Sequence, residues 1–347
     1  MPPTHSRVPY IPIRPRRSGH GDLLEQLTSR VIGQGNAMRQ IVPYVQMHRA
    51  GLAPEGRPVG VFLLLGPTGT GKTRTVEVLA EALHASERSL LKVDCGEFQM
   101  EHEVAKLIGA PPGYLGHRET QPILTQQKLS AVTSEGSNLS LILFDEIEKA
   151  APSMTRLLLG VLDKATLRLG DNSTVNFERS MIFLTSNLGA EAMRKELNPD
   201  FGFESMTDNQ RANPAKKLQS IGMGAVKRKF SPEFVNRIDA VITYMPLESD
   251  SMRVILDQLL EGLEEHIEKR LDERAFGLDV TDEARELLLR KGTSKEYGAR
   301  ELKRTILRMI TQPVAAMVDR EEIEPGSTVR VEVDADGEGL DLIVEED

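Results

Sequence analysis

The sequence contains no tryptophan and only five tyrosines and ten phenylalanines, so its core must be built mainly from aliphatic side chains. A single cysteine, Cys95, excludes an intrachain disulfide framework and leaves folding to burial and hydrogen bonding. No apolar run reaches the roughly 18 residues of a membrane span, and no secretory segment is visible, which points to a cytoplasmic protein without a membrane role. Basic residues are outnumbered, 43 against 52, and a net charge of −9 argues against general binding to a nucleic-acid backbone. Acidic residues are missing from the first 21 positions, which carry Arg7, Arg14, Arg16 and Arg17 among five prolines. That composition predicts a disordered basic tail over residues 1–22.

What remains is a chain of 347 residues, 39% apolar, long enough to bury roughly 75% of its unfolded surface without staples. Between residues 23 and 246, short apolar runs alternate with helical periods, as in an α/β fold with a parallel sheet. Five strands are predicted, at residues 61–65, 90–93, 141–144, 181–184 and 240–244, most of them continuously apolar because parallel strands are buried on both faces. A helix from Thr73 carries Val76, Leu79, Ala80 and Leu83 on one stripe. After Pro246 the pattern turns helical, with Leu256, Leu260, Leu263 and Ile267 on one face and a second helix running towards Pro313. Two strands, 328–333 and 340–344, flank Asp336-Gly337, so residues 247–347 read as a smaller, mostly helical subdomain closed by a strand pair.

Two motifs carry chemistry. Gly66-Pro67-Thr68-Gly69-Thr70-Gly71-Lys72-Thr73 has the spacing of a phosphate-binding loop and lies between a strand and a helix, where that motif must lie. Its glycines free backbone N–H groups to wrap phosphates, Lys72 reaches β and γ oxygens, and Thr73 is a Mg²⁺ ligand. The alternative is a chance turn. Leu141-Ile142-Leu143-Phe144-Asp145-Glu146 then delivers two carboxylates at a strand end, Asp145 for the Mg²⁺ shell and Glu146 to polarise a water for attack on the γ-phosphate. An acidic helix cap is the alternative there. His102-Glu103 begins like a zinc-protease helix, but Lys106 stands where the second histidine is needed. Cys95, after a strand, reads as a packed side chain rather than a nucleophile.

These residues resemble one family over nearly the whole chain, the AAA+ ATPases of the Clp unfoldase and disaggregase class, in particular the second ATPase ring of the ClpB, ClpC and ClpA proteins. The resemblance implies a P-loop AAA+ fold, a five-stranded parallel sheet flanked by helices and followed by the small subdomain. Arg30-Val31-Ile32-Gly33-Gln34 is similar to the segment that packs on adenine, which assigns Val31 and Ile32 to the nucleotide. Thr185-Ser186-Asn187 looks like the sensor strand, implying that Asn187 helps position the attacking water. Phe230 to Asp239 looks like the finger motif, implying that Arg237 reaches the γ-phosphate of a neighbouring subunit. Tyr297-Gly298-Ala299-Arg300 matches the second sensor, implying that Arg300 reads the γ-phosphate within its own chain. Gly109 to Gly116 is similar to the pore loop, implying that Tyr114 and Leu115 grip an extended polypeptide.

The implied protein binds ATP or ADP with Mg²⁺, forms a homo-oligomeric ring of six, and threads polypeptide substrates, as a stand-alone single-ring module. Residues 117–122 depart from the family pattern, which implies different substrate handling. Phe201-Gly202-Phe203 resembles the loop that docks unfoldases on a ClpP-like peptidase, with packing on its own subunit as the other reading. A nucleotide-switched assembly or scaffolding factor without threading is the rival function, and a nucleic-acid motor a weaker third.

Overall fold

The computed structural model describes residues 23–109, 122–197, 214–293 and 298–345. The basic tail, Tyr114, Leu115, the Phe201-Gly202-Phe203 loop and Tyr297 therefore lie outside the described residues.

Five strands, β1 (Gly60–Leu65), β2 (Leu91–Asp94), β3 (Ser140–Asp145), β6 (Ser180–Ser186) and β7 (Ala240–Thr243), form one parallel sheet in the order β2-β3-β6-β1-β7. The strand period of two splits their side chains between two cores. Val61, Leu63, Leu65, Ile142, Phe144, Ile182 and Leu184 face one layer, while Phe62, Leu64, Leu141, Leu143, Met181 and Phe183 face the other. Aromatics serve both layers: in the second, Phe62 stacks on Phe183 at 5.2 Å and meets the edge of Tyr44 at 4.9 Å, and in the first, Phe230 stacks on Phe234 at 5.1 Å. The expected helix after the phosphate loop runs Lys72–His84, with Val76, Leu79, Ala80 and Leu83 all buried.

A hairpin missed by the sequence pattern, β4 (Thr166–Arg168) with β5 (Thr174–Asn176), sits outside the main sheet. Beyond Pro246, the helices Ser249–Leu271, Asp282–Gly292 and Ala299–Ile306 pack a third core against the expected strand pair, β9 (Thr328–Val333) and β10 (Leu340–Glu345). A third strand, β8 (Gly277–Val280), pairs parallel to β9 and completes a small sheet. The last helix does not stop at Pro313. It passes through a π-helical turn at Leu307–Thr311 and resumes as Gln312–Asp319. The wider turn accommodates a residue that has no N–H and whose ring would strike the carbonyl four positions back. No helix among the described residues is long and apolar enough to cross a membrane.

Candidate functional site

Strand order and register create the site. Parallel pairing aligns Leu65 with Ser186 and Phe144 with Leu184, so the loop after β1, the carboxylates ending β3 and Asn187 after β6 all emerge at the same edge of the sheet. The phosphate loop needs its glycines there: Gly66, Gly69 and Gly71 have φ of +150°, +76° and +97°. A Cβ on Gly66 would come within 2.7 Å of the Tyr244 carbonyl oxygen. The N-terminus of the Lys72–His84 helix has no side-chain cap, which leaves its partial positive charge facing the loop.

Lys72 is buried, and its ammonium donates to the carbonyls of Gly66 (2.7 Å) and Pro67 (2.8 Å) and to Asn187 Oδ1 (2.9 Å). Burial pushes its pKa down to about 8; Arg300 adds to the depression, while Glu148, Asp145 and Glu146 oppose it. Asn187 in turn donates from Nδ2 to Glu146 Oε1 at 3.3 Å. One amide thus joins the phosphate-loop lysine to the carboxylate expected to activate water.

Both carboxylates are held. The buried Thr185 hydroxyl donates to Asp145 Oδ1 and accepts from the Glu146 N–H at 2.9 Å, pinning a backbone that turns through φ +57° at Glu146. Asp145 Oδ2 meets Lys92 at 3.1 Å, and Glu146 pairs with Lys149. Glu148 accepts from the Asn187 N–H at 2.9 Å, and its other oxygen is buried without a hydrogen-bond partner among the described residues. Thr185, Glu148, Lys92 and Lys149 were missed from the sequence; the repeated carboxylates of Asp145-Glu146-Ile147-Glu148 were the available signal for Glu148.

The remaining expected residues divide into two places. Val31 is buried beside the loop, its Cγ1 3.7 Å from the position a Cβ on Gly71 would take, and Ile32 follows it. Gly298 packs on the loop from the small subdomain; the Ala299 N–H, at the start of the helix Ala299–Ile306, donates to the Gly69 carbonyl at 3.2 Å, and Arg300, the next residue, lies within electrostatic reach of Lys72. Arg237 is elsewhere. It lies ahead of β7, at the opposite end of the sheet from the loop, where its guanidinium grips Asp163 through contacts of 3.1 and 3.2 Å. Its motif is anchored by Asp239, which bonds the Val61 N–H at 2.8 Å and Arg57 at 2.5 Å. Cys95 is buried, and burial pushes its thiol pKa up, so it is no nucleophile.

The residues fit a nucleotide with its metal. The loop offers a cradle that side chains would fill, the buried lysine supplies the cation, and Thr73 with Asp145 supplies the hard oxygen donors that Mg²⁺ takes alongside phosphate. Lys92 is half exposed and can yield its contact with Asp145.

Residues 57–241 match the family model described as the AAA domain (Cdc48 subfamily), and residues 247–331 match the C-terminal, D2-small domain of ClpB protein. The chain is 38% identical over 324 residues to the chaperone protein ClpB of Aquifex aeolicus, spanning 93% of this chain and 30% of that protein. It is 34% identical over 312 residues to the negative regulator of genetic competence ClpC/MecB of Bacillus subtilis, spanning 90% of this chain and 36% of that protein. The structure of a complex of Hsp104 from S. cerevisiae with casein in an extended conformation superposes with a TM-score of 0.75 at 30% identity, covering 92% of this chain and 51% of that one. The chain thus spans about a third of the length of these curated relatives.

Proposed function

The chain belongs to the Clp class of AAA+ ATPases, and on that premise we propose that it hydrolyses ATP in a homo-oligomeric ring and uses the cycle to unfold polypeptides. The observation that carries the reading is the line from Lys72 through Asn187 to Glu146 at one edge of the sheet. ATP with Mg²⁺ supplies a γ-phosphoryl group whose developing charge must be neutralised while a water attacks in line. Lys72 and the uncapped helix start hold the phosphates, Thr73 and Asp145 are the metal's protein ligands, and Val31 and Ile32 pack on the base. Glu146 accepts the proton of the attacking water, which Asn187 orients. Arg300 adds positive charge from the small subdomain of the same chain.

Arg237 belongs to the neighbouring site. Its position at the far end of β7, away from its own phosphate loop, supports action across a subunit boundary, and a closed ring, six-membered as the family resemblance implies, places such an interface beside every site. The model matches over 57–241 and 247–331 support dividing the chain into a nucleotide-binding subdomain over 23–246 and a small one over 247–347; the proposed setting is the cytoplasm. Casein, which accompanies Hsp104 in the structural neighbour, is the natural test substrate. ATPase activity stimulated by casein, together with unfolding of a tagged reporter, is the expected result; ATP-dependent assembly without stimulation or unfolding would transfer the function to a nucleotide-switched scaffold.

A further inference from the structure

The end of the helix Leu23–Arg30 and the short turn from it into the helix Gly35–Arg49 together touch both parts of the molecule. Arg30 pairs with Glu81 on the phosphate-loop helix at 2.7 Å, and Val31 lies against Gly71. Gly33, at φ +76°, sits so close to Leu247 and Ser251 that a Cβ would come within 3.2 Å of each, and the Ser29 carbonyl accepts from Gln258 at 2.8 Å. Gln34 is 4% exposed. Its Nε2 donates to the Met245 carbonyl at 2.9 Å, and its Oε1 accepts from the Met245 N–H at 3.2 Å.

Met245 is the joint of the chain. The residue before it, Tyr244, closes the sheet by donating to the Leu65 carbonyl at 2.7 Å, and its buried hydroxyl donates to Thr75 at 2.7 Å. The residue after it, Pro246, has no N–H and leads into the Ser249–Leu271 helix. Both backbone groups of Met245 are therefore held by one side chain from the base-binding segment rather than by a strand partner. Leaving a partly buried backbone pair unmade has a cost, so movement of that segment is coupled to the joint.

We infer that Gln34 is a positioning residue that clamps the hinge at Met245, coupling occupancy of the Val31–Ile32 base site to the placement of the small subdomain. The inference rests on the nucleotide reading above. Because both polar ends of the amide are committed to backbone, Gln34 does not itself read the base. The small subdomain brings Gly298 and Arg300 to the phosphate loop, so the clamp sets how the second sensor meets the nucleotide.

Hydrogen exchange of the full chain with and without ADP tests this, read in peptides covering 66–73 and 244–248. In the wild type, ADP should slow exchange in both. In Gln34→Met, which keeps the volume and removes the bonds, exchange at 244–248 should rise at least about fivefold, the factor one net hydrogen bond is worth, and should lose its response to ADP while 66–73 keeps its own. ATP and GTP should lose affinity by the same factor. A changed ATP-to-GTP preference with an unaltered hinge would make Gln34 a base reader and overturn the inference. Should the variant fail to fold, the wild type still decides: ADP protection confined to 66–73 overturns the coupling. No ADP protection at 66–73 would overturn the nucleotide reading itself, and the coupling with it.

Discussion

The Lys72 ammonium donates to the side-chain carbonyl of Asn187 at 2.9 Å while the nitrogen of the same amide donates to Glu146, so a single asparagine spans the groups proposed to bind phosphate and to activate water. The two ends predict different losses. Lys72→Ala should abolish ATP binding, whereas Asn187→Ala should retain binding within a few-fold and lower kcat by roughly 10²-fold, the scale of one preorganised donor. Fluorescent-nucleotide titration alongside steady-state phosphate release separates the two effects. Equal ATP affinity in Lys72→Ala and wild type would contradict the assignment.

The depressed pKa of Lys72 gives the site a pH dependence. Without nucleotide the amine is half neutral at about pH 8, and phosphate oxygens favour its charged form. Binding therefore takes up a proton, and affinity falls as pH rises through 8, by up to about tenfold per unit. Calorimetry at pH 8.5 in two buffers of different ionisation enthalpy should show proton uptake in the wild type and none from this site in Lys72→Arg, whose guanidinium stays charged.

Gly298 meets the phosphate loop where no side chain fits: φ is +52°, and a Cβ would lie 2.9 Å from the Gly69 carbonyl oxygen. Gly298→Ala should lower stability by about 1–3 kcal/mol and weaken nucleotide binding by pushing the second sensor off the loop. Gly51→Ala is the control, since φ there is +70° but nothing lies within 4 Å, leaving a cost of about 1 kcal/mol and unchanged nucleotide binding. Urea denaturation and ADP titration of both variants check the contrast.

Tyr114 carries the threading reading. Tyr114→Ala should leave basal ATPase intact while removing stimulation by casein and unfolding of a tagged reporter, because the ring supplies grip and no chemistry. Unchanged unfolding would remove this residue from the pore.

The sheet was legible because parallel strands buried on both faces leave apolar runs that no surface pattern imitates, as Val61 to Leu65 and Leu141 to Phe144 do. Strand β8 was not, since Gly277 opens it and Asp279 interrupts it, and β4 and β5 offer three residues each with only the middle one buried. Lys72, Asp145 and Glu146 could be singled out from the sequence because the chemistry proposed for them demands a fixed local spacing. The residues that hold them were unreadable for the opposite reason: Thr185 reaches Asp145 across 40 residues, a distance closed by the β3–β6 register, and Gln34 likewise reaches Met245 across 211 residues through the fold. That the helix running towards Pro313 continues beyond it was not legible either, because the proline is absorbed by a π turn that leaves no local pattern.

The central claim is that each hydrolytic site needs Arg237 from a neighbour. Loss of such an arginine costs about 10³ to 10⁵ in turnover, roughly 4–7 kcal/mol of barrier, far beyond a surface ion pair such as Arg237 makes with Asp163. The decisive measurement is the ATPase rate of Arg237→Ala mixed with Glu146→Gln, each nearly inactive alone. The account predicts that mixing restores hydrolysis, at sites pairing an intact Glu146 with a neighbour's Arg237, and that wild-type turnover per subunit rises with protein concentration through the range of assembly. No recovery on mixing, with turnover per subunit independent of concentration, would contradict it and leave Arg237 a structural residue.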